Sequence, residues 1–348
     1  PSVHIIVSRL SGTGLAEGFY QDTVRHVVAH LGLREHVDYE VHYTESPGTV
    51  VELTSRIFLP RAKEGKKQRV ILLSGDGGIV DVINVLLSEE RGKAYRAPEV
   101  AVLPLGTGNA LAHSAGITRD DTLGLATLAR GKPAPLPLFS AKFSPGARLL
   151  VDEGSKEEEL LDKAEDGLPV MHGAVVFSWG MHAGLVGDSD TAEYRKYGVE
   201  RFQMAAKEAL YPSDGSEPHR YRANVSWLGK GDDGEETWQP IPRTEHMYVL
   251  ATLVSNLEKT FTISPASRPL DGHLRLVHFG PMSGDEVMRV MGLAYQGGKH
   301  VEEEAVGYED IEGLRLEFGG MEEEGRWRRV CVDGRIVRVE REGWVEVR

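Results

Sequence analysis

The chain has 348 residues, 41% of them apolar and 27% charged, an ordinary balance for a soluble globular protein and enough for about two domains. A formal charge of -13 excludes general nucleic-acid binding, which needs clustered Lys and Arg, and excludes holding an anionic membrane by charge alone. No apolar run approaches the roughly 18 residues of a membrane span, and no signal-peptide pattern opens the chain. The sequence begins at Pro1 rather than Met, which leaves open a targeting segment ahead of it. The single cysteine, Cys331, precludes an internal disulfide, suggests a reducing, cytoplasmic setting, and reads as a small buried apolar residue.

The first third alternates strand and helix patterns. Residues 3–7 form a short apolar run, followed by Ser11-Gly12-Thr13-Gly14 and a helical stretch over about 17–31. Residues 38–43 read as a second strand and 50–58 as helical. Residues 69–73 are a third strand, which runs at once into Ser74-Gly75-Asp76-Gly77 and a helix with Ile79, Val82, Ile83, Leu86 and Leu87 on one apolar stripe. Residues 100–103 are a fourth strand, followed by Gly106-Thr107-Gly108-Asn109 and a helix over 109–115. This repetition predicts a parallel sheet with crossover helices, and ligands at the carboxyl ends of its strands.

After Gly131 the texture changes. Pro133, Pro135 and Pro137 break any helix and mark a boundary. Short β-rich runs follow at 136–143, 174–179, 221–227, 247–254, 274–278, 314–318, 330–332 and 336–339, which predicts an antiparallel sandwich or barrel. Residues 152–166 carry eight acidic residues against two lysines and read as a solvated insertion loop. Residues 214–217 and 229–236 read as surface turns.

The glycine loops carry the chemistry. Glycines let backbone N–H groups approach an anion, and a helix N-terminus adds a favourable field. An aspartate in the middle of such a loop would repel phosphate. It makes sense if Asp76 meets Mg²⁺ or takes a proton from an attacking hydroxyl. Gly12, Gly14 and Gly18, with Glu45 after the second strand, would also suit a dinucleotide site, but that reading leaves the two later loops unexplained. No Walker loop is present. His26, His30, His36 and His42 show no metal-ligand spacing and read as surface or core residues.

Ser74-Gly75-Asp76-Gly77 with Asp81 and Asn84, and the segment 104–111, resemble motifs of the diacylglycerol kinase and sphingosine kinase family of lipid kinases, closest in style to the sphingoid-base kinases. Phe177-Ser178-Trp179-Gly180, Asp188, the stretch 194–202, Ser264-Pro265 with Leu270-Asp271-Gly272, Gly298-Lys299-His300 and Val332-Asp333-Gly334 resemble later blocks in family order. The resemblance therefore covers essentially the whole chain.

It implies a phosphofructokinase-like α/β nucleotide domain over residues 1–132 and an antiparallel β-sandwich lipid domain over 133–348, with ATP in the cleft. It implies that Asp76 is the catalytic base or its close electrostatic partner, and that Thr44, Ser74, Gly75, Gly77, Gly106, Thr107, Gly108, Asn109, Arg195, Arg201 and Asp333 line the nucleotide. Asp188 would meet the substrate, and another carboxylate such as Asp81 or Asp333 would serve the metal. The expected reaction is transfer of the γ-phosphate of ATP, with Mg²⁺, to the hydroxyl of a sphingoid base or related lipid. Diacylglycerol or ceramide are alternative acceptors. Transient contact with a membrane surface and a homodimer are further expectations. Where the family has Asn-Pro this chain has Ser8-Arg9, and where it ends in Asp-Gly-Glu this chain has Asp333-Gly334-Arg335. The charge reversal at Arg335 motivates a second reading, a lipid- and nucleotide-binding pseudokinase.

Overall fold

The computed structural model describes residues 2–9, 11–12, 14–231 and 234–348. Pro1, Leu10, Thr13 of the first glycine loop, and Asp232 and Asp233 of the polar stretch 229–236 lie outside the described residues. The chain divides into two compact units, Pro1–Pro135 and Leu136–Arg348.

In the first unit, strands β1 (Val3–Val7), β2 (Tyr39–Tyr43), β3 (Arg69–Ser74) and β4 (Glu99–Pro104) form a parallel sheet in the order β2-β1-β3-β4. The central strands are near-continuous apolar runs because helices cover both their faces, and Ile5, Ile6, Val7, Val70, Leu72 and Leu73 are fully buried. The helical segments Ala16–Phe19, Tyr20–Val24 and Arg25–His30 follow one another without a break, the middle one a π turn. Thr49–Leu53, Thr54–Phe58 and Leu59–Lys63 repeat that pattern.

Helix Asp76–Leu87 starts directly after the glycine that ends the β3 turn. The single stripe read from sequence understates it, because Ile79, Val80, Val82, Ile83, Val85 and Leu86 are all buried. It packs both on β3 and on the Thr49–Leu53 and Thr54–Phe58 segments, so it needs apolar residues on more than one side. From β1 the chain moves to β2 on one side and then crosses to β3 on the other. Such a reversal opens a crevice at the carboxyl ends of β1 and β3.

The second unit begins with β5 (Phe139–Phe143), β6 (Arg148–Val151), β7 (Lys156–Glu159), β8 (Val170–Gly173) and β9 (Val176–Gly180). It continues through β10 (Tyr221–Arg222), β11 (Asn224–Lys230), β12 (Glu236–Pro240), β13 (Glu245–His246), β14 (Tyr248–Thr252), β15 (Asn256–Glu258) and β16 (Phe261–Thr262). It closes with β17 (Leu274–Phe279), β18 (Val306–Ile311), β19 (Gly313–Glu317), β20 (Arg329–Val332), β21 (Arg335–Arg338) and β22 (Trp344–Val347).

Among the described residues, two antiparallel sheets run β12-β11-β19-β22-β5-β8 and β18-β17-β14-β9-β20-β21-β6-β7. Alternate residues of both enter one core: Phe139, Ala141 and Phe143 of β5, Leu314 and Leu316 of β19, Phe177 and Trp179 of β9, and Val330 and Val332 of β20. This is the sandwich geometry, in which the two-residue period of each strand sends every second side chain inward.

Two features depart from the sequence reading. Residues 152–166 are not wholly a loop: Lys156–Glu159 is an exposed edge strand paired with β6, and Glu157 makes a bidentate ion pair with Arg338 of β21 at 2.7 and 3.0 Å. Helices Met181–Asp188, Glu200–Leu210 and Gly284–Ala294 also interrupt what reads as an all-β region. The first is short and buries only Met181 and Ala183, so it carries little periodic signal. Among the described residues, no helix is long and apolar enough to cross a membrane.

Candidate functional site

The crevice at the β1 and β3 carboxyl ends is built from backbone. The Ser11 hydroxyl accepts a hydrogen bond from the Gly75 N–H at 3.2 Å, which ties the first glycine loop to the second. A Cβ on Gly106 would lie 2.3 Å from the Gly75 Cα, and one on Gly12 would lie 2.5 Å from the Leu105 carbonyl oxygen. All three loops therefore touch through positions that only glycine can occupy. Gly77 differs. A Cβ there meets nothing within 4 Å, and the residue is exposed in the first turn of its helix. The protein's own packing does not require glycine at 77.

Asp76 turns toward the loop after β4. Its carboxylate oxygens accept the Ala110 N–H at 2.7 Å and the Leu111 N–H at 3.1 Å. The residue keeps some exposed surface, but protein crowds its carboxyl group, and this burial pushes its pKa up against the pull of the two N–H groups.

Several residues expected to line a nucleotide are found supporting these loops. Asn109 sits in the left-handed region (φ 53°), which asparagine tolerates, and its side chain bridges Gly106 by accepting its N–H at 2.9 Å and donating to its carbonyl at 2.8 Å. The Thr44 hydroxyl, buried at the end of β2, accepts the Arg9 N–H at 3.0 Å. Ser74 is buried, and its carbonyl receives Leu105 N–H at 3.1 Å. Thr107 and Gly108 are half-buried in the loop between. Arg9 grips Glu17 through two 2.9 Å hydrogen bonds and lies over the Tyr43 ring. Asp81 is half-buried on the Asp76–Leu87 helix.

In the second unit, Arg195 and Arg201 converge on one carboxylate oxygen of Asp190, at 3.0 and 3.3 Å. Hydrogen bonding to Asp190 raises the Arg195 pKa, while burial lowers that of Arg201. Glu153 also acts on Arg195, so the two guanidinium groups face two carboxylates. Asp190 itself was not singled out in the sequence, although its place five residues before Arg195 is an available signal.

Asp188, expected at the substrate, pairs with Arg326 at 3.2 Å and Arg329 at 2.8 Å. Asp333, expected at the nucleotide, has its carboxylate bound by three successive backbone N–H groups, those of Ala174, Val175 and Val176, at 2.6–3.2 Å. With Gly334 it forms the two-residue turn joining β20 to β21, both residues at positive φ (49° and 87°). Its side chain is thus a structural anchor. Burial raises the pKa of the Asp162 carboxyl, and Arg335 nearby offsets part of that rise.

Comparison with known proteins accords with this geometry. Residues 2–141 match the diacylglycerol kinase catalytic domain. Human sphingosine kinase 1 is 23% identical over 353 residues, covering 90% of this chain and 82% of that protein. The mouse sphingosine kinase 1 is 25% identical over 293 residues, covering 72% and 70% respectively. In fold, the chain is similar to a crystal structure of a diacylglycerol kinase from Bacillus anthracis, with a TM-score of 0.55 at 13% identity, over 99% of this chain and 93% of that one.

Proposed function

We propose that the chain is a lipid kinase of the diacylglycerol kinase and sphingosine kinase family, and that it transfers the γ-phosphate of ATP to the hydroxyl of a sphingoid base or a closely related lipid. The observation that carries the proposal is the contact of the Gly12, Gly75 and Gly106 loops at the carboxyl end of the sheet, with Asp76 between two of them. Gly77 adds to it, because a Cβ there would fill the space over the first turn of the Asp76–Leu87 helix, where backbone N–H groups would receive phosphate oxygens.

Phosphoryl transfer asks the protein mainly for positioning and charge neutralisation. Asp76 is assigned as the base that accepts the proton of the attacking lipid hydroxyl as its oxygen bonds to phosphorus and the bond to the leaving ADP breaks. The Ala110 and Leu111 N–H groups hold that carboxylate in position. Arg195 and Arg201 are assigned to nucleotide phosphate. Mg²⁺ takes one or two carboxylates plus phosphate oxygens, so the carboxylate of Asp81 suits it as the protein's ligand to the Mg²⁺ that accompanies ATP. A cytoplasmic enzyme in transient contact with membranes fits the lipid acceptor and the lone, buried Cys331.

Arg335 sustains the second reading, a pseudokinase that binds without turnover. One experiment separates them. The protein is incubated with labelled Mg-ATP and a panel of sphingoid bases, ceramide, diacylglycerol and monoacylglycerol, beside an active control kinase. The expected result is a labelled lipid phosphate from a sphingoid base. Stabilisation by Mg-ATP with no labelled lipid from any acceptor would favour the pseudokinase and overturn the proposal.

A further inference from the structure

On the face of the first unit's sheet beneath the Thr54–Phe58 segment, β1 and β2 place His4, Glu40 and His42 side by side. The parallel register sets His4 opposite Glu40, and His42 follows two residues later on the same face of β2. One ligand atom from each of the three lies within 4.8 Å of the others. The His4 Nδ1 and the His42 Nε2 face each other at 3.1 Å. That is near the roughly 3.3 Å edge of a tetrahedron of nitrogens around a zinc-like ion. We propose that His4, Glu40 and His42 bind a single divalent transition-metal ion of the zinc class.

The position of His4 argues against plain packing. It is 2% exposed in a strand whose other core positions are Ile5, Ile6 and Val7, and its ring meets Phe58 edge-on. Its Nε2 has no hydrogen-bond partner, so whichever tautomer makes the contact to His42, a buried polar nitrogen is left over. An aliphatic side chain would suit this slot better.

Imidazole and carboxylate donors favour zinc-like ions over Mg²⁺, which prefers oxygen alone. Because β2 is the sheet edge and Glu40 and His42 are only half-buried, the site has an entry path. Arg56 and Arg61 add positive charge nearby, and Glu40 is the carboxylate of the set. The ion would clasp β1 to its edge partner.

The test uses tag-free full chain stripped with a chelator and titrated with Zn²⁺ in competition with a chromophoric chelator. The 13 histidines of the chain make weak background binding certain, so the variants decide. Wild type should take up one tight equivalent, and Co²⁺ in its place should give the visible bands of a tetrahedral site. His42→Ala and Glu40→Gln, both on the half-buried edge strand, should stay folded by circular dichroism, weaken that equivalent by roughly tenfold or more, and lose the bands. Absence of a tight equivalent in wild type, or equal affinity in both variants, would overturn the site.

Discussion

At the scale of single residues, Asp76 is where stability and activity should part. Its carboxyl pKa is raised by burial. A raised carboxyl pKa means that the unfolded chain ionises first as pH climbs, so the ionised group costs stability above its folded pKa and costs none below the unfolded value. Asp76→Asn removes that charge but keeps the shape and one acceptor for the Ala110 and Leu111 N–H groups. Lipid phosphorylation should fall by about 10²–10⁴-fold, the usual span for a lost general base. The melting temperature at neutral pH should hold or rise, and its difference from wild type should shrink as pH falls toward 4. Retained turnover would remove Asp76 from the mechanism. A large drop in melting temperature at pH 7 would show that its hydrogen bonds outweigh its desolvation.

At the scale of elements, the glycine loops separate packing from ligand binding. Gly106→Ala sets a methyl group 2.3 Å from the Gly75 Cα, against backbone that cannot swing aside, and should destabilise the first unit by about 1–3 kcal/mol. Gly77→Ala meets nothing, at an ordinary helical backbone, and should leave stability unchanged or raised by up to about 1 kcal/mol. It should still weaken nucleotide binding several-fold. Denaturant midpoints beside Mg-ATP titrations would read both effects, and unimpaired ATP affinity in the Gly77 variant would remove that glycine from the phosphate site.

Sequence pattern carried the loops well, because strand, glycine turn and helix are contiguous and each announces the next. It failed where contacts are distant. Nothing in the spacing of Asp333 shows that it caps the N–H groups of residues 174–176, nor could His4 and His42 be paired before the β1–β2 register was known. The acidic run at 152–166 misled for a related reason: its charge has a partner in Arg338, far along the chain.

At the scale of the whole molecule, the formal charge of -13 constrains how a lipid kinase could reach its substrate. A basic residue beside an anionic bilayer contributes about 1 kcal/mol, and a strong acidic excess opposes such attraction within a Debye length of about 8–10 Å. Acidic residues such as Glu157 are already matched to arginines of the same unit, so those arginines are not available to anionic headgroups. Any membrane contact would therefore have to be local and apolar, or made through a partner. Sedimentation with vesicles of rising phosphatidylserine content should show binding that is flat or falling, and added salt should not weaken it. Binding that climbs steeply with anionic lipid and disappears in salt would mean that a basic patch outweighs the net charge. The lipid would then reach the enzyme by electrostatic capture rather than by apolar contact.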